Sequence, residues 1–194
     1  MNQIQPLHKT NEFLFLRHGQ TDWNLDGLLQ GRSDRPLNAS GLAQAHAAAT
    51  QLASEGVDLI VTSPLKRAYQ TAQVVSEKLR IPVQTDLNLI ERNFGSLEGR
   101  LVSDIVPEGS TGLDIASSTS LPDDAEEWDQ VCSRVLKTTN QWLSEFPAQK
   151  ILIVSHYGVM SALCDQLFGA PKPAKNATPY RFTLRDMIWK MAEV

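Results

Sequence analysis

The sequence predicts an α/β protein, a three-layer sandwich with a largely parallel central sheet flanked by helices. Short continuous apolar runs at 13–16, 59–61 and 151–154 have the length of strands covered on both faces. Segments of helical period alternate with them, and most connections are short, the order that gives a parallel sheet between helical layers.

The elements follow in chain order. Phe13 to Leu16 is the first strand. Residues Ser40 to Ser54 form an Ala-rich helix that stops at Gly56, and Leu59 to Val61 make the second strand. Ser63-Pro64 reads as an N-cap with proline in the first turn, opening a helix to about Leu79, before Pro82. Between Asp123 and Phe146 apolar or small residues recur along one helical face, from Trp128 through Val131, Val135 and Thr139 to Leu143, and Pro147 ends the helix. Ile151 to Val154 is the third strand, followed by a helix that carries Met160, Leu163 and Leu167 and ends at Gly169. Tyr180 to Met191 alternates as one or two terminal strands. Residues 101 to 122 are rich in Ser, Thr, Gly and Pro and lack a period, so they predict a lid or specificity insertion in an otherwise single domain spanning 1–194.

Composition narrows the partners. A formal charge of −4, with no Lys/Arg block longer than two residues, argues against nucleic acid and anionic membranes. Cys132 and Cys164 lie in separate helical segments and fit small buried hydrophobes in a reducing compartment. The N-terminus has no apolar signal core, which gives a cytoplasmic expectation. Homodimerisation is compatible with the sequence, and Trp128 and Trp142 fit core or interface positions.

In a parallel sheet, ligands bind beyond the carboxyl ends of the strands. Here those ends carry Arg17-His18-Gly19, Thr62-Ser63-Pro64 with Arg67 close behind, and Ser155-His156. Guanidinium and imidazolium groups match the charge of a phosphoryl group in transfer, so Arg17, Arg67 and His156 suit its oxygens. A neutral imidazole is a competent nucleophile at pH 7, and His18, held by a buried strand, has a fixed aim. Glu91 is the candidate general acid and base, with Glu98, Asp86 and Glu12 as other available carboxylates. His46 and His8 read as structural or exposed. Ser63, outside any GxSxG elbow, reads as a cap rather than a nucleophile.

The segments LRHGQTDWN (16–24), LQGRSDRPLNASGLAQA (29–45), TSPLKRAYQTA (62–72), ERNFGSLEGR (91–100) and VSHYG (154–158) stand in an order that resembles the histidine phosphatase superfamily, the phosphoglycerate-mutase-like proteins. The resemblance implies a phosphohistidine on His18, phosphoryl contacts from Arg17, Arg67 and His156, and Glu91 as acid and base. It also places Asn24, Gln30 and Gly31 near the phosphate and makes Asn176 a structural match of lesser weight. The family usually has glycine where this chain has Tyr157, which marks that side chain as a substrate contact. No cofactor and no metal are implied.

Within the family, mutases carry basic residues in the lid. Here no Lys or Arg lies between Arg100 and Arg134, whereas Asp104, Glu108, Asp114, Asp123, Asp124, Glu126, Glu127 and Asp129 do. An acidic cover disfavours a doubly anionic substrate and predicts hydrolysis of a small phosphomonoester whose other end is neutral or carries an amine, such as a sugar phosphate or a phosphorylated amino acid; the other reading of these carboxylates is that they simply solvate an outer face. The alternatives are a phosphoglycerate-type phosphomutase, a phosphohistidine protein phosphatase, a metal-dependent hydrolase and a phosphate-binding sensor. Against a metal stands the setting of each histidine beside arginine or backbone donors, which repel a cation.

Overall fold

A computed structural model of the chain describes residues 12–106, 115–118 and 121–194. His8, Glu108, Asp114 and part of the 101–122 segment lie outside these. The strands are β1 (Glu12–Arg17), β2 (Leu59–Thr62), β3 (Val83–Thr85), β4 (Ile151–Ser155), β5 (Pro179–Arg185) and β6 (Ile188–Glu193). The helices are α1 (Asp22–Leu25), α2 (Ala39–Leu52), α3 (Lys66–Leu79), α4 (Trp128–Glu145) and α5 (Tyr157–Phe168).

One six-stranded sheet runs β3-β2-β4-β1-β5-β6. The first four strands are parallel, while β5 is antiparallel to β1 and β6 to β5. Alternation along β1 sends Phe13 and Phe15 to one face and Leu14 and Leu16 to the other. Each face has its own core: α4 and α5 pack with Phe13 and Phe15, and α2 and α3 with Leu14 and Leu16. All four side chains are fully buried, a burial worth roughly 1.5–3 kcal/mol each, so the strand that delivers His18 is firmly anchored.

Several predicted boundaries move, each for a local reason. The Ala-rich helix starts at Ala39 because Asn38, not Ser40, accepts from the Gly41 N–H. The long helix begins at Trp128 instead of Asp123, since Glu127 and Gln130 form a reciprocal capping box there. Ser63 does not cap α3, whose N-cap is Leu65 without a side-chain bond. Strand β3 was not predicted; it is three residues long and largely solvent-facing, so it lacks an apolar run.

A third and smaller apolar cluster sits off the sheet. Leu29, Phe94, Leu97 and Ile115 are buried in it, with Val102, Ile105, Val106 and Leu121 packed against them. It is tied by a short ladder in which Leu29 exchanges backbone bonds with Arg100 and Gly99, and Val102 donates to Gly27.

Candidate active site

Register explains how two histidines far apart in sequence become neighbours. In the parallel pair β1 and β4, Leu16 faces Val154 and Arg17 faces Ser155. One residue further on, both strands end, and the rings of His18 and His156 lie side by side with centroids 5.2 Å apart. Strand β2 flanks β4 on its other side and brings Ser63, whose Oγ lies 2.7 Å from His156 Nε2. Ser63 therefore orients a histidine, a role the sequence reading missed because its position also fits a cap.

Close packing holds the turn after β1. A Cβ at Gly19 would stand 2.4 Å from the Gly41 carbonyl oxygen, so only glycine lets the start of α2 approach. The Gly19 N–H donates to Thr71 Oγ1 at 3.0 Å, and Asn176 Nδ2 donates to the His18 carbonyl at 2.9 Å. Asn176 thus steadies the backbone of His18.

The protonation of His18 follows from its partners. Nδ1 lies 2.7 Å from the Gly19 carbonyl oxygen, which only accepts, so Nδ1 carries the proton. Nε2 is left with a lone pair, on which Arg67 Nε–H rests at 3.2 Å. Burial, then the charges of Arg67 and Arg17, push the His18 pKa well below its ordinary 6.5, and the imidazole is neutral at pH 7. His156 is lowered in the same way by burial, Arg67 and His18, and its Nδ1 has no partner among the described residues.

Arg67 is buried and spends its fork on backbone: Nη1 donates to Ser33 at 2.9 Å and Nη2 to Gly31 at 2.7 Å. Burial lowers its pKa to about 10, and it stays charged at neutral pH. Arg17 is partly exposed, donates through Nη1 to Ala174 and stacks its guanidinium 5.0 Å from the Tyr157 ring centre, while Nε has no partner among the described residues.

A cavity of about 280 Å³ opens in front of this group. Arg17, His18, Asn24, Gln30, Gly31, Glu91 and Tyr157 all contribute to its walls. Arg67 and His156 pack against the His18 imidazole and are not among the wall residues. Glu91 is buried, and its carboxylate accepts from the backbone N–H of Arg92 at 2.8 Å and of Gly158 at 3.1 Å. A Cβ at Gly158 would come within 2.5 Å of Glu91 Oε1, so glycine is required there for the carboxylate to reach the cavity.

The rival carboxylates are occupied elsewhere. Glu98 gathers the N–H groups of Arg32, Ser33 and Phe94, which clamps the loop that carries Gly31. Asp86 binds Thr138 and Trp142, and Glu12 pairs with Lys150.

Among the described residues, the acidic cover expected from the sequence does not face the cavity. Asp124 accepts from Ser96, Glu126 pairs with Arg134 and Arg32, and Asp104, Asp123 and Glu127 are exposed. Glu91 is the only carboxylate among the described wall residues. Beyond the polar groups the wall is apolar, formed by Leu28, Leu29, Phe94, Val102, Ile115 and Ala116.

Arg92 was also missed. Almost fully buried, it donates from Nε to the Glu126 carbonyl at 2.8 Å and from Nη1 to the Ala116 carbonyl at 3.0 Å. Its place beside Glu91 was the one available signal, since arginines are seldom buried.

Residues 13–184 match the family model of the histidine phosphatase superfamily (branch 1). An adenosylcobalamin/alpha-ribazole phosphatase of Escherichia coli is 36% identical over 183 residues, covering 92% of this chain and 88% of the relative. A probable phosphoglycerate mutase of Yersinia enterocolitica is 33% identical over 175 residues, covering 84% and 78%. Among solved structures, a mycobacterial glucosyl-3-phosphoglycerate phosphatase in complex with VO3 superposes with a TM-score of 0.82 at 27% identity, over 94% of this chain and 97% of that one.

Proposed function

The chain belongs to the histidine phosphatase superfamily (branch 1) and is a phosphatase, and we propose that it cleaves a small phosphomonoester through a covalent phosphohistidine on His18, without a metal. The observation that carries this reading is the His18 tautomer: Nδ1–H is committed to Gly19, and Nε2 presents its lone pair beside a cavity that also holds Glu91.

In the first step Nε2 attacks phosphorus and the ester P–O bond breaks. Arg67 Nε–H, which rests on Nε2, is the nearest donor to a phosphoryl oxygen arriving there; Arg17 supplies a further donor, and so does His156 when its unpartnered Nδ1 carries the ring proton. Glu91, protonated, passes its proton to the departing alkoxide, which leaves as the alcohol. In the second step the Glu91 carboxylate takes a proton from water as the water oxygen attacks phosphorus. The N–P bond breaks, inorganic phosphate departs, and neutral His18 and protonated Glu91 are restored. Asn24, Gln30 and Gly31 line the phosphate end, and Tyr157 holds the Arg17 guanidinium on its ring.

Two guanidinium groups beside the histidines support the metal-free reading, since they repel a cation. Two buried unpaired thiols, Cys132 and Cys164, fit a cytoplasmic location. The test is a rapid quench with a 32P-labelled alkyl phosphate. Labelled His18 that forms and decays at the rate of phosphate release, unchanged by EDTA, is the expected result. Isomerisation of 3-phosphoglycerate with little phosphate released would show a mutase instead.

A further inference from the structure

The cavity has a charged end and an apolar end, and the apolar end bears on the substrate. Leu28, Leu29, Phe94, Val102 and Ile115 form it. Three of them, Leu29, Phe94 and Ile115, belong to the small cluster that stands apart from both sheet cores. This wall therefore exists in addition to what the fold needs to bury its sheet.

The wall is also fixed in place. Strand-like bonds join Leu29 to Gly99 and Arg100, an isolated bridge joins Leu28 to Leu101, and Val102 donates to Gly27 at 2.9 Å. From outside, the Arg92 fork pins the Ala116 and Glu126 carbonyls, which holds Ile115 against Phe94. Those backbone groups are occupied by one another, so among the described residues this end of the cavity offers a ligand side-chain carbon. A polyhydroxylated or zwitterionic group placed there would surrender hydrogen bonds to water and find few in return, whereas an apolar group would only leave water.

We propose, resting on the phosphatase reading above, that the alcohol half of the substrate is an uncharged and largely apolar group of ring size, seated on Leu28, Phe94, Val102 and Ile115. Specificity then lies in this wall, while the charged end serves any phosphomonoester alike. A sugar phosphate or phosphoserine, the expectation from an acidic cover, fits it poorly.

The test compares esters whose leaving groups are all primary alcohols, so that leaving-group chemistry is held nearly constant. For 2-phenylethyl phosphate, kcat/KM is expected to exceed that for glycerol 3-phosphate, phosphoserine and glucose 6-phosphate by on the order of 10-fold or more. Ile115→Ser, and independently Val102→Ser on its half-exposed turn, should shrink the ratio of 2-phenylethyl phosphate to glycerol 3-phosphate several-fold, mainly through KM. Equal kcat/KM values for all four esters, or a ratio untouched by both variants, overturn the wall's role and leave the phosphatase reading standing. No phosphate from any ester overturns both.

Discussion

The two ends of the cavity are built by different means. At the charged end, Arg17, His18 and His156 sit on or just beyond adjoining parallel strands, and backbone register sets their spacing. At the apolar end, the wall comes from loops and single turns between 27 and 118, joined by a minor cluster and one buried arginine. A site of this kind can keep its chemistry rigid while the selecting surface changes, because the groups that react and the groups that select share few supports.

The most severe way to break the charged end is His18→Ala. Without the nucleophile, phosphate release is expected to fall on the order of 10⁴-fold or more, with no trapped phosphoenzyme. Residual turnover within 10-fold of the parent protein would refute a covalent role for His18. Glu91→Gln should cost about 10²- to 10⁴-fold on alkyl phosphates but far less on p-nitrophenyl phosphate, whose leaving group departs without a proton. Equal losses on both substrates would assign Glu91 to binding instead of proton transfer.

Gly158→Ala tests how finely Glu91 is placed. The added carbon would stand 2.5 Å from Oε1, and the displaced carboxylate is expected to lower kcat by up to about 10²-fold with alkyl esters while KM changes little. An unchanged kcat would mean that the carboxylate tolerates displacement.

At the other end, Arg92→Lys keeps the charge but cannot serve the Glu126 and Ala116 carbonyls with one planar fork. Urea unfolding should show a loss of about 1–3 kcal/mol, with KM for an apolar ester raised more than kcat is lowered. A matched fall in kcat alone would place Arg92 with the charged end and erase the distinction between the two.

The smallest effect expected is on pH dependence. His18 and His156 both have pKa values well below 6.5 in the folded protein. Below that pH the unfolded chain takes up protons that the fold refuses, so stability should decline as pH drops through 6.5. Over the same range folded His18 keeps its lone pair. In an NMR titration its ring should still be neutral at pH 6; protonation centred at 6.5 or above would contradict the electrostatics of the charged end.

How much of this could be read beforehand differs between the ends. Residues 13–16, 59–61 and 151–154 announce themselves as strands because they are covered on both faces, and a reactive residue at the tip of a buried strand is a local signal. Arg17, His18, Glu91 and Tyr157 are all found in the cavity wall, with Arg67 and His156 against His18. Ser63 was misread because the same residue suits a helix cap and a histidine partner. Of the two readings of the acidic run, cover or outer face, its described members favour the second, since charge along a sequence says nothing about direction; Glu126 turns to Arg134 and Asp124 to Ser96.

By itself the sequence determined the layered α/β class, the central strands and the chemical types gathered at their ends, since these depend on apolar periodicity and on residue identity. Only the tertiary structure decided that β4 lies between β1 and β2, which sets His156 beside both His18 and Ser63. It also decided which nitrogen of His18 bears the proton and which carboxylate is free to face the cavity. Those outcomes depend on hydrogen bonds between residues distant in the chain, and on space that a glycine at 19 or 158 leaves open; neither is written in any local run of residues.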